Sequence, residues 1–132
     1  HATTYADSIA AGHVVEAPVT TVLADGMACR IADASALDVL GPHLERIVQV
    51  SDDEVAQAMR MLFADTHNVA EGAGAASFAA AWRERETLKG QVVGTTLCGG
   101  NVDSDVLARA AGSLSENRAS TFKRTSARPA VA

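Results

Sequence analysis

The sequence has 132 residues, of which 48% are apolar and 20% charged, and a formal net charge of −5. This balance is typical of a single cytoplasmic globular domain with room for a hydrophobic core. It excludes two classes of partner, because the 11 basic residues form no dense block that would attract nucleic acid and no apolar run approaches the roughly 18 residues of a membrane span.

The first half of the chain is predicted to alternate short helices and strands. The candidate helices are residues 3–11 and 36–46, and the candidate strands are residues 13–16 and 46–50. The first helix should stop at Gly12, a common left-handed cap. Asp25-Gly26 is a turn signal inside an apolar stretch, where a glycine would let the backbone approach a ligand or simply turn.

The most regular pattern in the sequence is SDDEVAQAMRMLFADT, residues 51–66. Ser51 and Glu54 have the spacing of a capping box, which predicts a helix that begins here. Val55, Met59, Leu62 and Thr66 recur on one face, with Ala58 beside them, so this face is predicted to pack into the core.

A second helix is predicted from the small residues after Glu71 to Gly90, with Phe78 and Trp82 on one face. The uncharged run QVVGTTLC, residues 91–98, is typical of a buried parallel strand, and residues 103–111 form a last helix. This alternation predicts an α/β fold with three layers, a mostly parallel sheet and helices on both faces. Residues 1–111 would form the domain and residues 112–132 a disordered tail.

Cys98 ends the last predicted strand, and the group that it faces is the main question about function. No His or Cys lies near it in sequence, which disfavours a metal. Asp103 and Asp105 in the next helix oppose both a thiolate nucleophile and a bound phosphate. A neutral ring nitrogen remains, because a thiol can donate a weak hydrogen bond to it. Ligands of open parallel sheets gather at the carboxyl ends of strands, where Cys98 is predicted to lie.

Three stretches in order resemble the later part of serine/threonine dehydratases. They are VLADGMACR, IVQVSDDEVAQAMRMLFADTHNVAEGAGAASFAAA and LKGQVVGTTLCGGNVD. These dehydratases are pyridoxal-phosphate enzymes that share a fold with tryptophan synthase β. The resemblance therefore implies part of that fold, pyridoxal 5'-phosphate as the cofactor of the full enzyme, and a small hydroxy amino acid as its substrate.

The resemblance also implies roles for four residues. Cys98 would face the pyridine nitrogen, Gly26 would border the ring, Glu71 would lie beside the cofactor pocket, and Gly99 would shape the wall behind Cys98. Each has a simpler interpretation when taken alone: a small buried side chain for Cys98, a turn for Gly26, and an acid favoured by the helix dipole for Glu71. No metal site is expected.

The reaction implied by the resemblance is loss of the α-proton to a lysine and loss of the β-hydroxyl, giving a 2-oxo acid and ammonia. The lysine signature of these enzymes is not matched here. The chain has only Lys89, in a predicted turn, and Lys123, in the tail. No catalytic residue is therefore assigned, and the chain alone is expected to be inactive and not to bind the cofactor.

Two hypotheses of different class stay open. The chain is either the C-terminal portion of a dehydratase catalytic domain or a non-catalytic binding or regulatory module on the same scaffold. A racemase or a β-replacement synthase is the nearest alternative within the first class. In either case a partial sheet exposes edges, which predicts a homo-oligomer or association with a missing N-terminal half.

Overall fold

The computed structural model describes residues 1–112, which form five helices joined by irregular segments. Helix α1 is Thr4–Ala11, α2 is Ala34–Leu40, α3 is Asp52–Thr66, α4 is Gly72–Arg83, and residues 104–112 form α5. Short 3-10 turns lie at Asp25–Met27 and Gly41–His43. The predicted tail, apart from residue 112, lies outside the described residues.

The ends of α1 and α2 follow local signals in the sequence. Helix α1 stops at Gly12, whose φ of 72° is left-handed, as predicted. Helix α2 begins two residues earlier than expected, because the carboxylate of Asp33 accepts a hydrogen bond from the Ala36 N–H and caps it. It ends at Leu40 rather than at residue 46, because Gly41-Pro42 turns the chain into the 3-10 segment.

The predicted capping box of α3 is confirmed. The Ser51 hydroxyl accepts a hydrogen bond from the Glu54 N–H at 3.2 Å, and the Glu54 carboxylate accepts one from the Ser51 N–H at 2.8 Å. The hydrogen bond from the Ser51 backbone holds the pKa of Glu54 below its ordinary value of 4.5. The first turn of α3 is therefore fixed by its own side chains.

The core lies between α3 and α4. Val55, Ala58 and Met59 of α3 are each at most 2% exposed, and they pack against the alanines of α4. Leu62 packs at the edge of this cluster, whereas Thr66, predicted to share the buried face, is exposed. The facing side chains on α4 are small, so the two helices approach each other closely.

Helix α4 is shorter than the sequence indicated. It ends at Arg83, and residues 84–90 form turns that finish at Gly90, whose φ of 83° is left-handed. Phe78 and Trp82 do share a face, with ring centroids 6.4 Å apart. Arg85 folds back over the Trp82 ring at 4.9 Å, a cation–π contact that belongs to the turn following the helix.

The three predicted strands, residues 13–16, 46–50 and 91–98, are wrong for the part of the chain that the structure describes. None of them forms a strand, and the strand-like pairings between residues 1 and 112 are two isolated antiparallel bridges, Ala2 with Val19 and Glu16 with Ile31. A strand needs neighbouring strands to pair its backbone groups, and these segments do not pair with one another. The parallel sheet is therefore absent from residues 1–112.

The apolar segment 91–98 is irregular and uncovered. Val92 is fully exposed, Val93 is 46% exposed and Leu97 is 43% exposed, although the sequence predicted burial on both faces. The Ser77 hydroxyl of α4 donates a hydrogen bond to the Thr96 carbonyl at 2.7 Å and so ties the segment to the helix. The expected α/β architecture is thus corrected to a helical assembly that carries an exposed apolar segment.

Both cysteines, Cys29 and Cys98, are free and exposed. The simpler interpretation of Cys98, as a small buried side chain, is therefore wrong. Within the first 112 residues, no helix is long and apolar enough to cross a membrane. Over the same range, no group of three or more His, Cys, Asp and Glu side chains is placed to hold a metal ion.

Candidate functional site

The beginning of α4 is where two distant segments of the chain meet. Glu71 precedes the helix in an extended conformation, and its side chain makes no capping hydrogen bond. Gly72 and Gly74 follow in the first turn and are buried. Because these positions carry no side chain, other backbone segments can lie directly on the helix.

The segment after Cys98 is one of the two. The carbonyl of Gly99 accepts a hydrogen bond from the Glu71 N–H at 3.1 Å. A Cβ on Gly74 would lie 2.5 Å from the same oxygen, and a Cβ on Gly99 would lie 2.9 Å from Cδ of the Glu71 carboxylate. Only glycine fits at these two positions without displacing a neighbour, so the 98–100 backbone is held against the helix start.

The other segment contains Gly26, in the 3-10 turn Asp25–Met27. A Cβ on Gly26 would lie 3.1 Å from Cβ of Ala73, so this turn rests on the first turn of α4. A Cβ on Gly72 would lie 2.6 Å from the carbonyl carbon of Leu23 and would overlap its oxygen. The loop before Gly26 is therefore pressed onto the same helix start.

The structure thus brings together three of the four predicted site residues, Gly26, Glu71 and Gly99, around the start of α4. Cys98 is next to Gly99 in the chain, but its thiol is exposed and makes no hydrogen bond that the described residues provide. It follows an irregular segment rather than a strand. The role of Cys98 stays a prediction.

Lys89 lies far from this cluster. It is exposed in the turns that follow α4, whereas the cluster surrounds the other end of the helix. A helix of 12 residues is about 18 Å long at roughly 1.5 Å per residue. A lysine side chain cannot cross that distance, so Lys89 does not take part in this arrangement. The second lysine, Lys123, is outside the described residues.

The hydrogen bonds that tie these segments to the helices were not predictable from the sequence. Ser77 anchors the 91–98 segment at Thr96, and Asp52 of α3 binds the hydroxyl of Thr21 at 2.8 Å. The partners lie 19 and 31 positions apart, and no local pattern marks them.

An apolar groove lies elsewhere, between α3 and α5. It is lined by Met59, Arg60, Phe63, Ser104, Leu107 and neighbouring alanines, and it includes none of the four predicted site residues. The groove is flanked by the end of the described chain and carries one charged group, the Arg60 guanidinium, which donates to the Ala110 carbonyl at 2.9 Å. It offers no chemistry of its own.

The chain is similar to known enzymes in sequence and in fold. The sequence profile of the family described as "Pyridoxal-phosphate dependent enzyme" matches residues 1–99. The chain is 36% identical over 97 residues to L-threonine ammonia-lyase from Geobacter sulfurreducens, a match that covers 73% of this chain and 24% of that enzyme. It is 30% identical over 92 residues to serine racemase from Schizosaccharomyces pombe, covering 70% of this chain and 28% of the racemase.

A solved structure supports the same grouping. The crystal structure of T.th. threonine deaminase superposes with a TM-score of 0.71 at 28% identity, over 77% of this chain and 36% of that chain. The chain spans about a quarter of the length of the curated relatives that it matches.

Proposed function

Because this chain belongs to the family of pyridoxal-phosphate-dependent enzymes, we propose that it is the C-terminal part of the catalytic domain of an L-threonine/L-serine dehydratase. The observation that carries the proposal is the glycine-lined cluster at the start of α4, where Gly26, Glu71 and Gly99 meet beside Cys98. These are the positions that the family resemblance assigns to the cofactor pocket.

The cluster suits the ring of the cofactor rather than its phosphate. Its glycines hold three backbone segments in direct contact, and the exposed thiol of Cys98 beside them is a weak donor for a ring nitrogen. The helix start already carries the Glu71 carboxylate, which disfavours an anion. The arginines of residues 1–112 bond elsewhere, to Glu16, Glu84, Ala110, Gln49, Trp82 and Asp105. Phosphate contacts and the lysine are thus assigned to other parts of the full enzyme.

The cofactor, when bound, supplies the electron sink that allows the α-proton and the β-hydroxyl of the substrate to leave. The residues of this chain would hold and orient the cofactor. Cys98 would donate a weak hydrogen bond to the ring nitrogen, and a thiol would be less able than a carboxylate partner to keep that nitrogen protonated. Glu71 fixes the backbone behind Cys98 through Gly99.

The uncovered 91–98 segment supports association with the rest of the catalytic unit. Val92, Val93 and Leu97 are exposed apolar side chains. Its N–H groups from residue 92 to 98 donate no hydrogen bond that the described residues receive. Such a segment resembles an open sheet edge, which pairs with another strand when one is available. We assign that strand to the remainder of a dehydratase domain, and we expect the chain alone to be inactive.

A chimera tests the proposal. In it, the matched 97 residues of the Geobacter sulfurreducens enzyme are replaced by the corresponding residues of this chain, and folding is checked by circular dichroism. We expect the chimera to bind pyridoxal phosphate and to release ammonia from threonine or serine, whereas this chain alone does neither. The same assay with the parent enzyme's upstream part supplied as a separate polypeptide covers the case in which the chimera does not fold.

The products that the chimera releases distinguish a dehydratase from a racemase and from a non-catalytic module. Racemisation without ammonia release would favour a racemase, which the similarity to serine racemase also permits. A folded chimera that binds no cofactor would contradict the proposal and favour a non-catalytic module. Within an active chimera, Cys98→Asp should alter the ratio of elimination to racemisation, because a carboxylate holds the ring nitrogen protonated. Cys29→Asp is the matched control, since Cys29 is also free and exposed.

A further inference from the structure

The loop that carries Gly26 is held between two helices. Residues 21–26, the 21–26 loop, lie in space between the start of α3 and the start of α4. On the α4 side, Leu23 lies on Gly72 and Gly26 lies on Ala73. The position of Gly26 in the cluster therefore depends on what fixes the other side of the loop.

On that other side the Thr21 N–H donates to the His1 carbonyl at 3.3 Å, and the carboxylate of Asp52, the first residue of α3, binds the side chain of Thr21 and the backbone of Val22. One carboxylate oxygen accepts a hydrogen bond from the Thr21 hydroxyl at 2.8 Å, and the other accepts one from the Val22 N–H at 3.2 Å. The Thr21 hydroxyl in turn accepts a hydrogen bond from the Ala24 N–H at 3.1 Å. The Asp52 carboxylate thus accepts two hydrogen bonds from the loop, and the Thr21 hydroxyl connects it to a third bond within the loop. Hydrogen bonds to a charged group are stronger than neutral ones.

Asp52 is itself held in place. It follows Ser51, which forms the capping box with Glu54, so the backbone of the first turn of α3 is locked. Helix α3 is packed on α4 through Val55 and Met59, both almost completely buried. Since α3 and α4 form a tightly packed pair, a loop fastened to both has little freedom to move.

We propose that Asp52 is a positioning residue, which acts through Thr21 and Val22 to hold Gly26 against the start of α4 and so sets one wall of the cofactor pocket. The inference rests on the proposed function for its consequence. Asp52 touches neither substrate nor cofactor in this arrangement, and its effect passes through the loop.

The first arm of the test uses this chain alone and measures amide hydrogen exchange. Asp52→Ala should speed exchange at the Val22 N–H by roughly tenfold or more, because its hydrogen bond to a charged group contributes roughly 1.5–3 kcal/mol. Exchange at the Ala24 N–H should also become faster, because its acceptor, the Thr21 hydroxyl, loses its partner. Asp53→Ala is the matched control, since Asp53 is the next residue in the same turn and is exposed. Thr21→Val removes the hydroxyl that joins Asp52 to the Ala24 N–H, with little change in shape, and should speed exchange at Ala24. Unchanged exchange in both Asp52→Ala and Thr21→Val would overturn the proposal.

The second arm uses the cofactor-binding chimera. Asp52→Ala should weaken binding of pyridoxal phosphate about tenfold and shift its emission, with Asp53→Ala unchanged and Asp52→Asn intermediate, because an amide keeps one acceptor. Equal affinity and emission in the Asp52→Ala and parental chimeras would overturn the positioning role while the proposed function stands. A parental chimera that binds no cofactor would instead count against the proposed function, and the inference would fall with it.

Discussion

Replacing Gly72 by alanine is expected to destabilise the chain, although alanine is the better helix former. A Cβ at this position would lie 2.6 Å from the carbonyl carbon of Leu23 and 3.0 Å from Cα of Ala24. Both neighbours are backbone atoms, and the 21–26 loop is fastened to Asp52, so they cannot give way cheaply. Overpacking of this kind costs roughly 1–3 kcal/mol, whereas the gain in helix propensity is at most about 1 kcal/mol.

A cost in the middle of that range, about 2 kcal/mol, less the largest gain leaves an expected net loss of about 1 kcal/mol in the free energy of unfolding, which lowers Tm by about 4 °C for a domain of this size. Urea unfolding followed by far-UV circular dichroism measures it. Gly94→Ala is the control, because Gly94 has no positive φ and nothing within 4 Å of an added Cβ. That change should be neutral or stabilise by about 0.4–1 kcal/mol. A Gly72→Ala protein as stable as the parent would refute the close packing at the helix start.

Three further predictions concern the core, the capping box and the glycine behind Cys98. Met59→Ala should cost about 2–5 kcal/mol in urea unfolding, because loss of a buried methionine leaves a cavity between α3 and α4; a loss below about 1 kcal/mol would contradict that core. Glu54 has a lowered pKa, so its contribution to stability is present above its unfolded pKa and is lost as the pH falls through its folded pKa. The stability advantage of the parent over Glu54→Gln should therefore shrink from about pH 6 to about pH 3, and a constant difference would argue against it. Gly99→Ala should change stability little, because the Glu71 carboxylate can swing away, but it should weaken cofactor binding in the chimera; unaltered binding would remove Gly99 from the site.

The helix boundaries that were predictable from the sequence depend on contacts between near neighbours. Ser51 with Glu54 and Gly12 at the end of α1 are such cases, because their partners lie within a few residues. The inward face of α3 followed from its period for the same reason. Local chemistry determines these features, and distant parts of the chain change them little.

The absence of the predicted strands could not be foreseen from the sequence, because a strand forms only when it pairs with neighbouring strands. The run of residues 91–98 has the composition of a buried strand, yet its burial depends on neighbours that residues 1–112 do not provide. The candidate site was only partly predictable from the sequence. Glycines near Glu71 permit close approach of another backbone, but which backbone approaches, that of Leu23 or that of Gly99, is set by long-range packing. The Asp52 contacts with Thr21 and Val22 were invisible for the same reason.

The central claim is that Cys98 faces the cofactor ring, and its alkylation by iodoacetamide in the chimera tests this most directly. Both Cys29 and Cys98 are free thiols, and mass spectrometry follows each one separately with and without pyridoxal phosphate. We predict that the cofactor slows modification of Cys98 at least about tenfold and leaves Cys29 unaffected, because a bound ring covers one thiol and not the other. Equal rates at Cys98 with and without bound cofactor would contradict the claim.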